Sequence, residues 1–206
     1  MKTSLKTILF NPFEIIAGTK ALLIGLGLIL LTGVLGYFSN ICFDGIIDMH
    51  FADTKITFLY HLTEGIINWV LASIILFLAG AIFSKTRYRL IDVFGTIALS
   101  RWPLGLLSFF SLFVSHQKVN NYILWKVTGK EPEVFVSMGE LIVFGLFLFL
   151  VILVLIWMIK LMYNAYSISF NLKGQKAIFS FIGALFIGEI LSKFLISKFI
   201  MLLGLI

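Results

Sequence analysis

The sequence predicts an all-α, polytopic membrane protein, a bundle of five transmembrane helices. Hydrophobic residues make up 60% of the 206-residue chain and charged residues only 13%, which is about half of the charged fraction of a typical soluble domain. The apolar stretches follow one another from Ala21 to Ile206 without a Pro/Gly/Ser-rich or charge-rich linker. We therefore expect a single membrane domain over residues 1–206 and no soluble catalytic module.

Five apolar stretches are long enough to cross a bilayer, since about 20 helical residues at about 1.5 Å each cover the roughly 30 Å hydrocarbon core. We predict these spans at residues 21–38, 66–83, 90–114, 141–159 and 177–196. The third span contains Arg101 and Pro103. Proline lacks an amide donor and clashes with the carbonyl four residues earlier, here that of Leu99, so the third helix should kink beside Arg101.

Four glycines in the first span, Gly25, Gly27, Gly33 and Gly36, leave a narrow helix surface. Small residues let a neighbouring helix approach closely inside a membrane. We therefore expect these glycines to serve packing.

Residues 1–20 precede the first span and are predicted to be cytoplasmic or interfacial. Asn11 can cap a short helix that begins at Pro12, because Asn accepts a bond from a free amide and proline tolerates the first helical position. Phe13, Ile15 and Ile16 give this helix an apolar face. We interpret the segment as an anchor along the inner leaflet, and a partner-binding helix is the alternative.

The distribution of basic residues predicts the orientation of the chain. One side of the membrane would hold nine basic residues: Lys2, Lys6, Lys20, Lys85, Arg87, Arg89, Lys160, Lys173 and Lys176. The other side would hold five basic and seven acidic residues. Because cytoplasmic segments retain positive charge, the N-terminus is predicted inside and the C-terminus outside, in a multi-pass protein of the cell membrane, expected to be a bacterial cytoplasmic membrane. Topology thus explains the net charge of +6 without nucleic-acid binding.

Arg101 and Glu189 are the charges that lie deepest in the predicted spans. Counted from the edge nearest the N-terminus at the helical rise, Arg101 is about 18 Å deep and Glu189 about 20 Å. A central arginine costs at least about 2.5 kcal/mol to insert and requires a partner. We therefore predict an intramembrane polar pair of Arg101 and Glu189. A structural ion pair is one interpretation, and an ion, proton or substrate pathway is the other.

The loop after the first span contains several residues of types that bind metals. The weak candidates are Asp44, Asp48, His50, His61 and Glu64. They match neither HExxH nor an EF-hand, and Cys42, the only cysteine, forms no CxxC pair. We expect solvated acidic residues with no bound metal and no cofactor. His61, Glu64 and Asn68 would share one face if this segment is helical.

Residues at the N-terminus and in the third span resemble the Yip1-domain family. They are Asn11-Pro12-Phe13 before the first span and YRLIDVFGTIALSRWPLGLL from Tyr88 to Leu107. The layout is most similar to that of the small prokaryotic members. The resemblance implies the five-span fold. The DLYGP-type sequence of eukaryotic members is absent. Binding to Rab-type GTPases, which is a property of those members, is therefore not carried over to this chain.

The sequence favours a non-enzymatic membrane scaffold or adaptor whose partners are the lipid bilayer and other membrane proteins. It contains neither GxxxxGK[ST] nor GxSxG, and no GxGxxG leads from a strand into a helix. Two alternatives stay open. One is a small transporter or channel that uses the Arg101 and Glu189 layer, and the other is a metal-dependent membrane enzyme that uses the loop after the first span.

Overall fold

The computed structural model describes residues 5–52, 54–129 and 134–203, and it confirms an all-α bundle. The elements are α1 (Leu5–Phe10), a 3-10 turn (Pro12–Glu14), α2 (Gly18–Ser39), β1 (Ile41–Cys42), β2 (His50–Phe51), α3 (Phe58–Phe83), α4 (Leu90–Ser100), α5 (Pro103–Ser111), α6 (His116–Thr128), α7 (Met138–Phe170) and α8 (Gly174–Leu203). Five helical units are long and apolar enough to cross a membrane: α2, α3, α4 with α5, α7 and α8. The chain is an integral, multi-pass membrane protein.

The helices extend beyond most of the predicted spans. α3 begins at Phe58 rather than at residue 66, and α7 continues to Phe170 rather than ending at residue 159. The third span is the exception, because α5 ends at Ser111 rather than at residue 114. Hydropathy detects only the part of a helix that lies in hydrocarbon, whereas the backbone hydrogen bonds continue through polar residues.

The predicted kink beside Arg101 is a break between α4 and α5. The amides of Arg101 and Trp102 bond to carbonyls three residues earlier, each at 3.3 Å, and α5 then starts at Pro103. This tighter turn replaces the bond that the proline cannot make. The turn places Arg101 at a helix end, where its side chain reaches the bundle interior.

Glycines bring α2 against its neighbours. A Cβ on Gly25 would lie 2.5 Å from the backbone nitrogen of Leu99 in α4, whereas a Cβ on Gly27 would meet nothing within 4 Å. Gly33 and Gly36 lie against the backbone oxygens of His61 and Ile41. Three of the four glycines thus serve the predicted packing role, and Gly27 does not.

The segment before α2 packs on α7. The ring of Phe10 lies against Trp157, and backbone carbonyls of the segment accept hydrogen bonds from α7. Phe13 is only 2% exposed, so this residue packs inside the protein and does not belong to an apolar face that contacts the inner leaflet, which corrects the prediction at this position. The Asn11 side chain donates to the Glu14 carboxylate at 3.2 Å and makes no capping bond to the backbone, which corrects the predicted cap. Trp157 and Asn164 of α7 donate to the carbonyls of Leu9 and Phe10.

The connection between α2 and α3 folds back into the bundle. Asn40 takes the left-handed conformation, with φ 57°, and its side chain donates to the Ala52 carbonyl at 2.8 Å. β1 and β2 pair antiparallel, with Cys42 opposite His50. Residues 43–49, which we term the plug loop, join the two strands, and Phe43 and Ile46 are buried.

Candidate functional site

The plug loop is held by polar side chains from α3, from the break after α4 and from α8. Glu64 of α3 accepts from the Phe43 amide at 3.0 Å, and Asn68 of α3 donates to the Phe43 carbonyl at 2.6 Å. Non-helical backbone is tolerated in a membrane protein only where protein or water satisfies its polar groups. These side chains supply such partners within the bundle. The expected shared face of His61, Glu64 and Asn68 is confirmed, since all three are buried on α3.

Arg101 and Glu189 bind consecutive residues of the plug loop. The Arg101 guanidinium donates to the Ile46 carbonyl at 3.1 Å, and the Glu189 carboxylate accepts from the Ile47 amide at 2.9 Å. The two side chains therefore reach the same layer, as the depth count predicts. They form no direct ion pair in the part of the chain that the structure describes, so the predicted contact is corrected to a link through the loop backbone.

Gly45 lets Glu189 approach the plug loop. A Cβ at this position would overlap with the Glu189 carboxylate. Lys193, one helical turn from Glu189, binds Asp48 of the plug loop at 2.6 Å and lies 3.9 Å from the Glu189 carboxylate. The loop is thus fixed to α8 at its middle and near its end.

A pocket of about 340 Å³, which we term the hairpin pocket, opens beside the plug loop. Its polar lining includes Asp44, Asp48, His50, Tyr60 and Lys193. Asp44 binds the His50 ring at 2.9 Å and accepts from the Tyr60 hydroxyl at 3.3 Å. The hydrogen bond to Asp44 raises the pKa of His50. Asp44, Asp48 and His50 are partly exposed, in agreement with the expected solvated loop residues.

His61 and Glu64 are each only 1% exposed, which corrects the expectation of solvated residues for these two of the five weak candidates. Cys42 lies beside them. One ligand atom from each of Cys42, His61 and Glu64 lies within 4.8 Å of the others, and all three residues are buried. We term them the Cys/His/Glu cluster. Burial, followed by the charge of Glu64, raises the pKa of the Cys42 thiol. The sequence gives no spacing signal for Cys42, because the fold-back of β1 creates its contact with α3.

A small cavity of about 20 Å³ lies between the Cys/His/Glu cluster and Arg101. Its lining includes His61, Phe43, Thr32 and Arg101. A water molecule needs about 10–15 Å³ of such space and a few polar partners. The cavity therefore has room for about one water.

A larger groove of about 790 Å³ runs along the outside of the bundle between α3 and α8. Its walls are apolar and include Leu78, Ile82, Phe179, Ile187 and Leu191. Its floor includes the small residues Ala79, Gly183 and Ala184. From Gln175 to Leu191 the groove follows α8 for about 24 Å at the helical rise, which is most of the hydrocarbon thickness.

No protein-family model, no curated protein and no solved structure matches the chain.

Proposed function

We propose that this protein is a non-enzymatic membrane scaffold or adaptor that binds the transmembrane helix of a partner protein in the groove between α3 and α8. The observation that carries the proposal is the groove itself, an elongated apolar surface with small residues along its floor. Small residues let a partner helix approach closely in membranes, and the exposed Gly183 of α8 and the partly exposed Ala79 of α3 both line the groove.

Gly183 supports a helix as the occupant. A Cβ on Gly183 would meet nothing within 4 Å, so this part of α8 is bare toward the groove. A partner helix gains van der Waals contact by covering such a surface, which apolar lipid tails fill with less shape complementarity.

The interior of the bundle favours the scaffold over the small transporter or channel. The plug loop occupies the layer of Arg101 and Glu189, and both side chains bind its backbone. The cavity that reaches Arg101 holds about 20 Å³. These contacts assign the two charges to fixing a loop. Membership of the Yip1-domain family is a proposal that rests on the sequence resemblance. A shared fold of this kind would not by itself define an activity.

The test is site-specific photo-crosslinking in native membranes. A photoreactive amino acid at Phe179, in the groove, should give a discrete adduct with a membrane protein, and the same amino acid at Phe149 of α7, which is exposed away from the groove, should not. Identification of a transmembrane peptide of the partner in the adduct would support the proposal.

A matched pair of variants tests whether the groove is the binding surface. Gly183→Leu fills the groove and should abolish the adduct at Phe179. Gly145→Leu is the control, because Gly145 is also an exposed helical glycine with open space around it. Adducts with lipid alone at Phe179, or equal adducts in both variants, would contradict the proposal.

A further inference from the structure

We propose that Cys42, His61 and Glu64 bind a divalent transition-metal ion, with Zn²⁺ as the preferred ion. The site is independent of the proposed scaffold role, since it lies inside the bundle and the groove lies outside. It also departs from the expectation of no bound metal, because the fold places Cys42 beside His61 and Glu64, which no sequence spacing predicts.

The three side chains come from two elements that the fold brings together. His61 and Glu64 are one turn apart on α3, and Cys42 is in β1, which the fold-back of the chain places against them. Their ligand atoms lie within 4.8 Å of one another. Metal–ligand distances of about 2.0–2.3 Å place the ligands of one tetrahedral zinc ion about 3.3–3.8 Å from one another, so the side chains would close in by about 1 Å to complete the geometry.

The imidazole of His61 is buried without a hydrogen-bond partner. Neither ring nitrogen makes a hydrogen bond, although the side chain is 0% exposed. A carboxylate oxygen of Glu64 is 3.5 Å from Nδ1, a distance at which the two groups attract each other but make no good hydrogen bond. Buried polar groups are almost always satisfied, and a metal ion would satisfy this one.

The chemistry of the ligands fits zinc. Thiolate sulfur, imidazole nitrogen and carboxylate oxygen are the three ligand types that Zn²⁺ uses in proteins. The second carboxylate oxygen of Glu64 is held by the Phe43 amide, which leaves the first free to coordinate and fixes its direction. One thiolate and one carboxylate balance the charge of a divalent ion, and the thiol proton is released to solvent on binding.

The cavity beside His61 offers space for a water as a fourth ligand, and Tyr60 links the cluster to the hairpin pocket. The cavity of about 20 Å³ lined by His61 has room for one water. On the other side, Tyr60 lines the hairpin pocket and packs its ring against His61 at 5.6 Å between centroids. The carboxylates of Asp44 and Asp48 in that pocket attract cations toward the cluster.

The experiment is a Co²⁺ titration of the purified full-length protein after treatment with a chelator. Co²⁺ reports on zinc sites because coordination by a thiolate produces a sulfur-to-cobalt charge-transfer band. The wild-type protein should show this band, saturating at one equivalent, and Zn²⁺ should displace it. The absence of the band in the folded wild-type protein would overturn the proposal without recourse to any variant.

Variants then assign the ligands. Cys42→Ser and His61→Gln should lose the band, and Glu64→Gln should weaken binding by at least about tenfold. His50→Gln, which changes the partly exposed histidine of the hairpin pocket, is the matched control and should keep the band and its stoichiometry. A band that persists in Cys42→Ser, or one that is lost in His50→Gln, would contradict the assignment.

Discussion

The charged side chains of Arg101 and Glu189 form hydrogen bonds with peptide groups of the plug loop and, among the described residues, form no ion pair with each other. One donates to the Ile46 carbonyl and the other accepts from the Ile47 amide. Counting residues from the span edges places both charges in one layer. The count cannot identify the partner, because every residue carries the same carbonyl and amide and only the fold decides which pair is within reach.

The contact of Glu189 predicts different effects for two substitutions at this position. Glu189→Leu removes the acceptor of the Ile47 amide and one of the two negative charges that act on Arg101, the other being that of Glu64, so we expect a loss of about 2–4 kcal/mol of unfolding free energy. Glu189→Gln keeps an acceptor oxygen and should lose about half of that. Thermal unfolding in detergent measures both losses.

Arg89→Leu is the control for removing a charge, since Arg89 pairs with Asp92 at the surface with 73% of its side chain exposed, and it should leave the melting temperature nearly unchanged because solvent screens the pair. Equal losses for Glu189→Gln and Glu189→Leu would show that Glu189 acts through its charge rather than through the Ile47 amide.

His50 and His116 should give stability a dependence on pH of opposite sign. The bond to Asp44 raises the pKa of His50, so its stabilising contribution is complete below the ordinary pKa of about 6.5 and is lost as the pH rises through the raised value. Desolvation lowers the pKa of His116, so the stabilising contribution of its neutral form is complete above the ordinary pKa of about 6.5 and is lost as the pH falls through the lowered value.

The measurement compares the melting temperatures of His50→Gln and His116→Gln with that of the wild-type protein between pH 5 and 8 (roughly the range in which His titrates). His50→Gln should be less stable than the wild type at the acidic end, by well under about 1 kcal/mol because solvent screens the pair. His116→Gln should gain on the wild type at the same end. Parallel curves for all three proteins would exclude both contributions.

At the scale of elements, the sequence predicts what depends on local chemistry. Pro103 predicts the break after α4 because its ring and missing amide act within one helical turn. The sequence does not predict that α3 starts at Phe58. His61 and Glu64 precede the predicted span, yet they lie on a buried helix face, where Glu64 accepts from the plug-loop amide of Phe43.

The sequence does not predict the full length of α7 for a related reason. Lys160 closes the apolar stretch, but the helix continues to Phe170. Asn164 in this extension donates to the Phe10 carbonyl, and Tyr166 bonds to Ser180 of α8 at 2.8 Å. Contacts with distant parts of the chain stabilise the helix beyond the hydrocarbon core of the membrane. Hydropathy cannot predict such contacts.

The contact between α2 and α4 predicts contrasting effects at two glycines of the same helix. Gly25→Ala would press a methyl group onto the backbone of Ala98 and Leu99, and we expect it to destabilise the protein by about 1–3 kcal/mol. Gly27→Ala meets open space and should be neutral or stabilising by up to about 1 kcal/mol. Thermal unfolding of the two variants compares them directly, and similar losses at both positions would contradict this packing of α2 on α4.

For the molecule as a whole, charge asymmetry predicts the orientation in the membrane. In a Cys42→Ser background, single cysteines at Lys85 and Lys173 should be shielded from an impermeant thiol reagent in intact cells, and those at Lys55 and Gly129 should react. All four positions are exposed, so the membrane alone should decide the result. Labelling at Lys173 from outside would reverse the predicted topology.

The whole-molecule features that bear on function are those that the sequence predicts least. Composition and hydropathy give the five spans, but the groove between α3 and α8 and the Cys/His/Glu cluster arise from how distant segments meet. Cys42 and His61 are brought together by a fold-back of the chain, and no periodicity connects them. Helical periodicity does not predict which residues contact each other where a loop, rather than a helix, fills the interior of the bundle.

The plug loop also sets an order of events in biosynthesis. It connects the first two spans, yet the acceptor for its Ile47 amide is Glu189 in the last span, 142 residues later. At a translation rate of about 5–20 residues per second, the ribosome needs roughly 7–28 s to make that distance. During this interval the nascent hairpin has an unsatisfied amide, so the early helices complete their assembly only after the last one has been inserted.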